Sequence, residues 1–219
     1  MLTDKLLWVI PALICITFHE LSHGFTAYWL GDKTAKEMGR LTLNPIKHID
    51  VFGLLMMVVF KFGWAKPVPV NIRNFKRPKW YMAITALAGP VSNIILAAIV
   101  FFILGLVITP LGGFDAQGAG AFVINAIYIT AYLSIALAVF NMLPIPPLDG
   151  SKVLFSLLPE KAYSVLMRYE RYGMIVLILL VNIDIFLNVN IFNATIGRLT
   201  ETLVNGLSDI WYTTFRLVN

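Results

Sequence analysis

Long apolar stretches alternate with short polar ones along this chain. A helix that crosses a bilayer needs about 20 mostly apolar residues. Four stretches approach or exceed that length, namely residues 6–30, 81–108, 121–143 and 173–192. The pattern therefore predicts an all-α membrane protein built as a bundle of about four main transmembrane helices.

The segments between these stretches predict smaller elements. Residues 51–60 are apolar but too short to cross as a helix, and they are rich in Val, Met and Phe. We expect a small re-entrant β element there, which a bilayer tolerates where protein or water covers the backbone. Residues 63–70 contain two prolines, which favour extended chain in the residues before them. Residues 151–172 and 196–219 mix charge with apolar side chains, which is typical of helices at a membrane surface.

Composition excludes an ordinary soluble protein. Of the 219 residues, 58% are hydrophobic and 13% are charged, against roughly 25% charged in soluble domains. We expect one transmembrane domain over residues 1–219, with a catalytic core at about 6–155 and a C-terminal span and interfacial tail at about 173–219. The single cysteine, Cys15, lies in an apolar stretch and cannot form an internal disulfide.

The basic residues predict the orientation in the membrane. Ten of the 17 lie between Lys33 and Lys79, and none lies between Trp80 and Ser151. Such a block belongs on the cytoplasmic side, and anionic lipid is a better partner for it than nucleic acid. A second basic group then falls on the same side, namely Lys152, Lys161, Arg168 and Arg171. Both termini are expected outside.

Ionisable residues interrupt the first apolar stretch at His19, Glu20 and His23. Positions i and i+4 share one face of a helix, so the two histidines can hold one metal ion. Zinc lowers the pKa of a bound water to about 7, and Glu20 is placed to take its proton. Charged groups inside a bilayer cost at least about 2.5–3.5 kcal/mol each, which weighs against the alternative that the histidines only bond other helices.

A third ligand must come from elsewhere, and Asp149 is the candidate. It follows a proline-rich run, residues 144–147, at the cytoplasmic end of the third stretch. Two imidazoles and a carboxylate with one open position form a catalytic zinc shell. The alternative is that Asp149 and Gly150 form an ordinary turn at a helix end.

The chain resembles the site-2 proteases, which are intramembrane zinc metalloproteases, in the compact form without PDZ or cystathionine-synthase-type domains. The resemblance covers about residues 6–155. Three motifs carry it: residues 19–24, Gly89-Pro90-Val91-Ser92-Asn93, and residues 141–150. Further similar segments are residues 31–32, 39–45, His48 and 63–71.

The resemblance implies that His19, His23 and Asp149 bind one Zn²⁺ and that Glu20 is the general base. It also implies that Asn93 and Asn141 lie near the scissile bond, where their amides can hold the substrate backbone or the oxyanion. From the residues alone, either asparagine could instead join helices by hydrogen bonding. His48 is interpreted as a loop residue near the interface. Asp184 could act in gating or in structure.

The predicted function is hydrolysis of peptide bonds in transmembrane segments, with a single-pass transmembrane protein as substrate, in the plasma membrane of a prokaryote. A helical substrate must unwind locally, and an edge strand in residues 51–60 or 68–72 could then bind it by strand addition. Three alternatives are a transporter or metal channel, a non-catalytic relative that binds helices, and another membrane metalloprotease class with Glu as third ligand.

Overall fold

The computed structural model describes residues 2–50, 52–53, 65–108, 117–187 and 193–218, and these are mostly helical. The α-helices are α1 Leu2–Trp29, α2 Thr34–Glu37, α3 Pro78–Ile108, α4 Gly118–Asn141, α5 Asp149–Ser156, α6 Glu160–Tyr169, α7 Gly173–Leu187 and α8 Arg198–Val218. Short 3₁₀ turns cover Pro45–His48, Ile72–Asn74 and Glu170–Tyr172, and a π-helical turn covers Asn193–Gly197. The predicted all-α class is confirmed.

Three helices in the described part of the chain are long and apolar enough to cross a membrane, rather than the four predicted. They are Leu7–Trp29 within α1, Pro78–Ile108 and Gly118–Asn141. Of the predicted fourth span, residues 173–192, the structure describes 15 residues as α7, fewer than the roughly 20 that a crossing needs. Residues 188–192 lie outside the described residues.

The predicted re-entrant β element is not supported. Of residues 51–60, only Phe52 and Gly53 are described, and both are helical; the other residues of this stretch lie outside the described ones. The described ranges contain no sheet, only an isolated antiparallel bridge between Ile49 and Ala65. Extended chain was predicted for residues 63–70. Residues 66–71 are neither helical nor paired in a sheet, which agrees with that prediction.

The described residues divide into two compact units. The first contains Met1–Cys15, Asn93–Phe140 and Leu180–Asn219. Its core joins Cys15 to residues of α3, α4 and α8, including Phe101, Ile135 and Val204. The thiol of Cys15 donates to the carbonyl of Thr130 at 3.3 Å. The amphipathic C-terminal tail is thus the helix α8, and it packs one side of itself into this core.

The second unit contains Ile16–Ser92 and Asn141–Leu179. The loop between α1 and α3 is tied down by two buried charged residues. Asp32 accepts hydrogen bonds from Thr34, from the Asn71 N–H and from the Asn74 amide. Arg40 donates to the carbonyls of residues 66 and 67 at 2.9 and 3.3 Å. These bonds fix the extended segment, residues 66–71, and the site described next belongs to this unit.

Candidate active site

Three predicted ligands, His19, His23 and Asp149, lie together in the second unit. The two histidines are one turn apart on α1, and Asp149 is the first residue of α5. The Nε2 atom of each histidine lies 3.1 Å from the same carboxylate oxygen, Oδ2 of Asp149. Ligand atoms from all three residues lie within 4.8 Å of one another. The proline-rich chain after α4 therefore does bring Asp149 to the histidines.

The hydrogen bond of His23 shows which ring nitrogen faces the site. Its Nδ1 lies 2.7 Å from the carbonyl oxygen of Thr85, and because a carbonyl can only accept, Nδ1 carries the proton. In the neutral ring Nε2 then has a lone pair, and that lone pair faces an anionic oxygen of Asp149. Two electron-rich atoms 3.1 Å apart require a cation between them, either a proton or a metal ion.

Zinc fits this arrangement of side chains. Ligands about 2.0–2.1 Å from a zinc ion at tetrahedral angles lie about 3.3 Å from one another. The two histidine–aspartate distances, 3.1 Å each, are close to this value, and all three ligand atoms lie within 4.8 Å of one another. Gly89 supplies the space beside the rings. A Cβ atom there would lie 2.5 Å from Cε1 of His23 and 2.6 Å from Cε1 of His19. The bare backbone of Gly89 is therefore part of the cradle for both imidazoles.

Glu20 lies beside the ligands but outside the ligand group. Its Oε2 accepts a 2.7 Å hydrogen bond from the main-chain N–H of Val68, in the extended segment. Glu20 and the three ligands line one cavity of about 430 Å³. The apolar part of the lining comes from residues 67–70, Met82, Ala86 and Pro147. A carboxylate that is free of the metal and faces a partly apolar cavity is suited to proton transfer.

The extended segment offers few free donors for strand addition. The Lys66 N–H donates to His48, the Val68 N–H to Glu20 and the Asn71 N–H to Asp32. Pro67 and Pro69 have no N–H at all. The hypothesis that residues 68–72 form the edge that binds substrate therefore loses support. The alternative edge, residues 51–60, lies almost wholly outside the described residues.

The two asparagines differ in their surroundings. Asn141, at the end of α4, lines the cavity. Asn93 belongs to the first unit and is fully buried, and its carbonyl accepts from the hydroxyl of Ser134 at 2.9 Å. Its side-chain amide has no hydrogen-bond partner among the described residues. The roles of both asparagines in catalysis stay predictions.

Two charged residues of the cavity were missed by the sequence reasoning. The Nζ atom of Lys152 lies 3.7 Å from Oδ1 of Asp149 and 3.7 Å from Oε1 of Glu170. Burial opposes ionisation of Asp149, but His23, His19 and Lys152 outweigh it and hold the pKa of that carboxyl well below its usual range. The i,i+3 spacing of Asp149 and Lys152 on one helix is a signal that could have found the first pair. Glu170 gives no such signal.

His48 and Asp184 add nothing to the site that is described. His48 is 1% exposed, and its Nε2 donates to the carbonyl of Thr42 at 2.8 Å. It is therefore a buried residue of the loop, and its position near the membrane interface stays a prediction. The side chain of Asp184 lies outside the described part of the chain.

One helix long enough to span a membrane presents two histidines and a glutamate, and an aspartate is brought to them; this arrangement is typical of a membrane-embedded metalloprotease. The family model of peptidase family M50 matches residues 8–183, and the chain belongs to this family. The resemblance to the site-2 proteases is thereby confirmed.

Three relatives agree with this assignment. YwhC of Bacillus subtilis (strain 168), named as a candidate zinc metalloprotease, is 44% identical over 173 residues, 78% of each chain. MJ0611 of Methanocaldococcus jannaschii, named likewise, is 40% identical over 138 residues, 63% of each chain. Rip2 of Mycolicibacterium smegmatis, also named likewise, is 28% identical over 172 residues, 77% of this chain and 63% of Rip2. This chain thus spans less than two thirds of Rip2 and of MJ0611.

No solved structure matches the chain significantly. The family and the relatives make the protein a membrane protease, and zinc is the cofactor for which its two histidines and aspartate are suited.

Proposed function

We propose that the protein is an intramembrane zinc metalloendopeptidase that hydrolyses peptide bonds within transmembrane segments. One zinc ion per chain would be held by His19, His23 and Asp149, with Glu20 as general base. One observation carries the proposal: the three ligand atoms and Glu20 face a single cavity, and three of these residues lie on a helix that qualifies as a membrane span.

The chemistry divides between the ion and the protein. When bound, zinc supplies Lewis acidity, which makes a water more acidic and a peptide carbonyl more electrophilic. Glu20 takes the proton of the attacking water and returns it to the leaving amide nitrogen. The Val68 N–H holds the Glu20 carboxylate in place, and the Thr85 carbonyl holds His23 in the tautomer that offers Nε2.

The substrate class follows from the position of the site. A peptide bond that reaches residues on a membrane span must come from a polypeptide in or at the bilayer, and a single-pass transmembrane protein is the simplest such substrate. Its helix must unwind locally, because helical carbonyls are occupied in hydrogen bonds. Asn141 lines the cavity, and we propose that its amide holds a freed backbone carbonyl of the substrate. We assign the same task to Asn93 on the family resemblance alone.

The orientation is also part of the proposal. The block of ten basic residues from Lys33 to Lys79 places that loop in the cytoplasm. The active site then faces the cytoplasmic side of a prokaryotic plasma membrane, with the N-terminus outside. The predicted outside position of the C-terminus requires a fourth crossing by residues 173–192, in addition to the three spans of the described residues. Membrane lipid is the constant partner of the apolar helix surfaces, and no nucleic-acid partner is proposed.

The test separates base from ligand. In the purified full chain, Glu20→Gln should retain zinc while cleavage of a model transmembrane substrate falls by about 10²–10⁴-fold, as expected for loss of a general base. Asp149→Asn should instead lose zinc, because an amide is a poorer ligand than a carboxylate. Near-native cleavage by Glu20→Gln would refute the proteolytic mechanism. Metal transport by the wild-type protein without any cleavage would support the alternative of a channel.

A further inference from the structure

The two carboxylate oxygens of Asp149 face different partners. Oδ2 lies 3.1 Å from Nε2 of His19 and 3.1 Å from Nε2 of His23. Oδ1 lies 3.7 Å from the ammonium of Lys152, three residues further along α5. One oxygen of the carboxylate therefore faces the imidazoles, and the other faces the ammonium of Lys152.

Lys152 is itself held in place. Its ammonium lies 3.7 Å from Oε1 of Glu170, in the 3₁₀ turn Glu170–Tyr172. The side chains of Lys152 and Glu170 are 18% and 22% exposed, and both line the cavity. A lysine of an ordinary surface keeps its ammonium in water. Here the ammonium is instead fixed between two carboxylates beside the predicted ligands, and the mechanism above does not use it.

We propose that Lys152 is a positioning residue that keeps Asp149 a one-oxygen ligand, and that Glu170 keeps Lys152 in place. This inference rests on the proposed zinc site. A carboxylate can bind a metal ion through one oxygen or through both, and a catalytic zinc site must keep one position open for water and substrate. The Lys152 ammonium forms an ion pair with Oδ1 at 3.7 Å, which favours Oδ2 alone as the ligand beside the histidines. Without it, both oxygens are free to chelate, and the open position is filled.

The test uses Co²⁺ in place of zinc, because its visible absorption distinguishes four-coordinate from five-coordinate sites. The full chain in detergent is compared with Lys152→Met, with Lys152→Arg, and with Lys161→Met, the same charge change at an exposed lysine of α6. Lys152→Met should bind about one Co²⁺, and its visible absorption bands should be weaker than those of the wild type, as expected for a five-coordinate site. Its cleavage activity should fall about 10–100-fold, the usual effect of losing an outer partner of a ligand. Lys152→Arg should restore the wild-type spectrum, and Lys161→Met should not change it.

The spectra of the variants decide whether Lys152 keeps Asp149 a one-oxygen ligand. A wild-type spectrum in metal-loaded Lys152→Met overturns the inference. If Lys152→Met does not fold or load, Glu170→Gln decides instead: it should shift the spectrum in the same direction by a smaller amount, and an unchanged spectrum overturns the inference. A wild-type chain that binds no Co²⁺ would refute the proposed zinc site itself, which separates that failure from this one.

Discussion

The main-chain N–H of Val68 donates a 2.7 Å hydrogen bond to Oε2 of Glu20. The proposed base is therefore oriented by backbone rather than by a neighbouring side chain. That backbone is fixed in turn, because Arg40 binds the carbonyls just before Val68 and Asp32 binds the N–H of Asn71. The buried side chains of Arg40 and Asp32 thus help to position Glu20, because they hold residues 66–71 in place.

Val68→Pro should lower cleavage by about 10–100-fold without loss of zinc. The substitution removes the N–H together with the packing of a buried side chain, and a hydrogen bond to a charged group contributes about 1.5–3 kcal/mol. Each 1.36 kcal/mol corresponds to a tenfold change in rate. The control is Val68→Ala, which loses the buried side chain but keeps the N–H. Cleavage rate and zinc content are measured together, and equal rates for the two variants would mean that this bond does not position Glu20.

Gly89→Ala should reduce zinc affinity sharply. The added methyl group would lie 2.5–2.6 Å from the rings of His19 and His23, so both imidazoles must move. The matched control is Gly206→Ala in α8, where a Cβ meets nothing within 4 Å. Alanine also favours helix over glycine by about 1 kcal/mol, so the control should be at least as stable as wild type. Zinc titration against a competing chelator measures both variants, and native affinity in Gly89→Ala would contradict the cradle described for the rings.

Local pattern was enough to predict much of the site. The i,i+4 spacing of His19 and His23 and the length of the apolar run determine a metal pair on a membrane helix. Asp149 was predicted as the third ligand because a zinc site needs one and because the family resemblance implies it. No local pattern shows its approach to the histidines, which depends on how the chain from Met142 to Leu148 turns back. The contact between Val68 and Glu20 joins residues 48 positions apart, and nothing local to either residue marks it.

Two predictions about the fold find no support in the described residues. The fourth span was predicted from hydropathy over residues 173–192, of which 15 are described as α7. Enrichment in Val, Met and Phe suggested a strand at residues 51–60, yet Phe52 and Gly53 are helical. Short apolar runs do not distinguish strand from helix, because burial and neighbours decide between them.

The proposed orientation predicts which loops a membrane-impermeant thiol reagent can reach. Single cysteines at Lys76 and Lys161 should be labelled only after the cytoplasmic face is opened, and a cysteine at Asp115 should be labelled in intact cells. Labelling of a cysteine at Asn219 in intact cells would show that residues 173–192 cross the membrane a fourth time. The native thiol of Cys15 is 1% exposed, which keeps background labelling low. Labelling of positions 76 and 115 from the same side would refute the proposed path of the chain between them.

Acid should loosen the loop that holds Val68, and Asp32 is the reason. Burial alone would raise the pKa of this carboxyl, but donors from Thr34, Asn71 and Asn74 outweigh it and lower the pKa below its usual value. The unfolded value is about 3.9. A carboxyl with a lowered pKa in the fold contributes stability above the unfolded pKa, and that contribution is lost as the pH falls further.

Asp32→Asn should therefore remove part of the acid sensitivity. At neutral pH it should lower the free energy of unfolding by about 1–3 kcal/mol, because an amide cannot accept from all of these donors and leaves buried groups unpaired. The control is Asp209→Asn at an exposed position of α8, which should leave stability unchanged. Denaturant unfolding in detergent at pH 7 and at pH 3.5 measures all three proteins. The stability gap between wild type and Asp32→Asn should narrow at the lower pH, and a constant gap would show that ionised Asp32 does not hold the loop. Because residues 66–71 also position Glu20, Asp32→Asn should lose cleavage activity together with stability, whereas its zinc ligands stay in place.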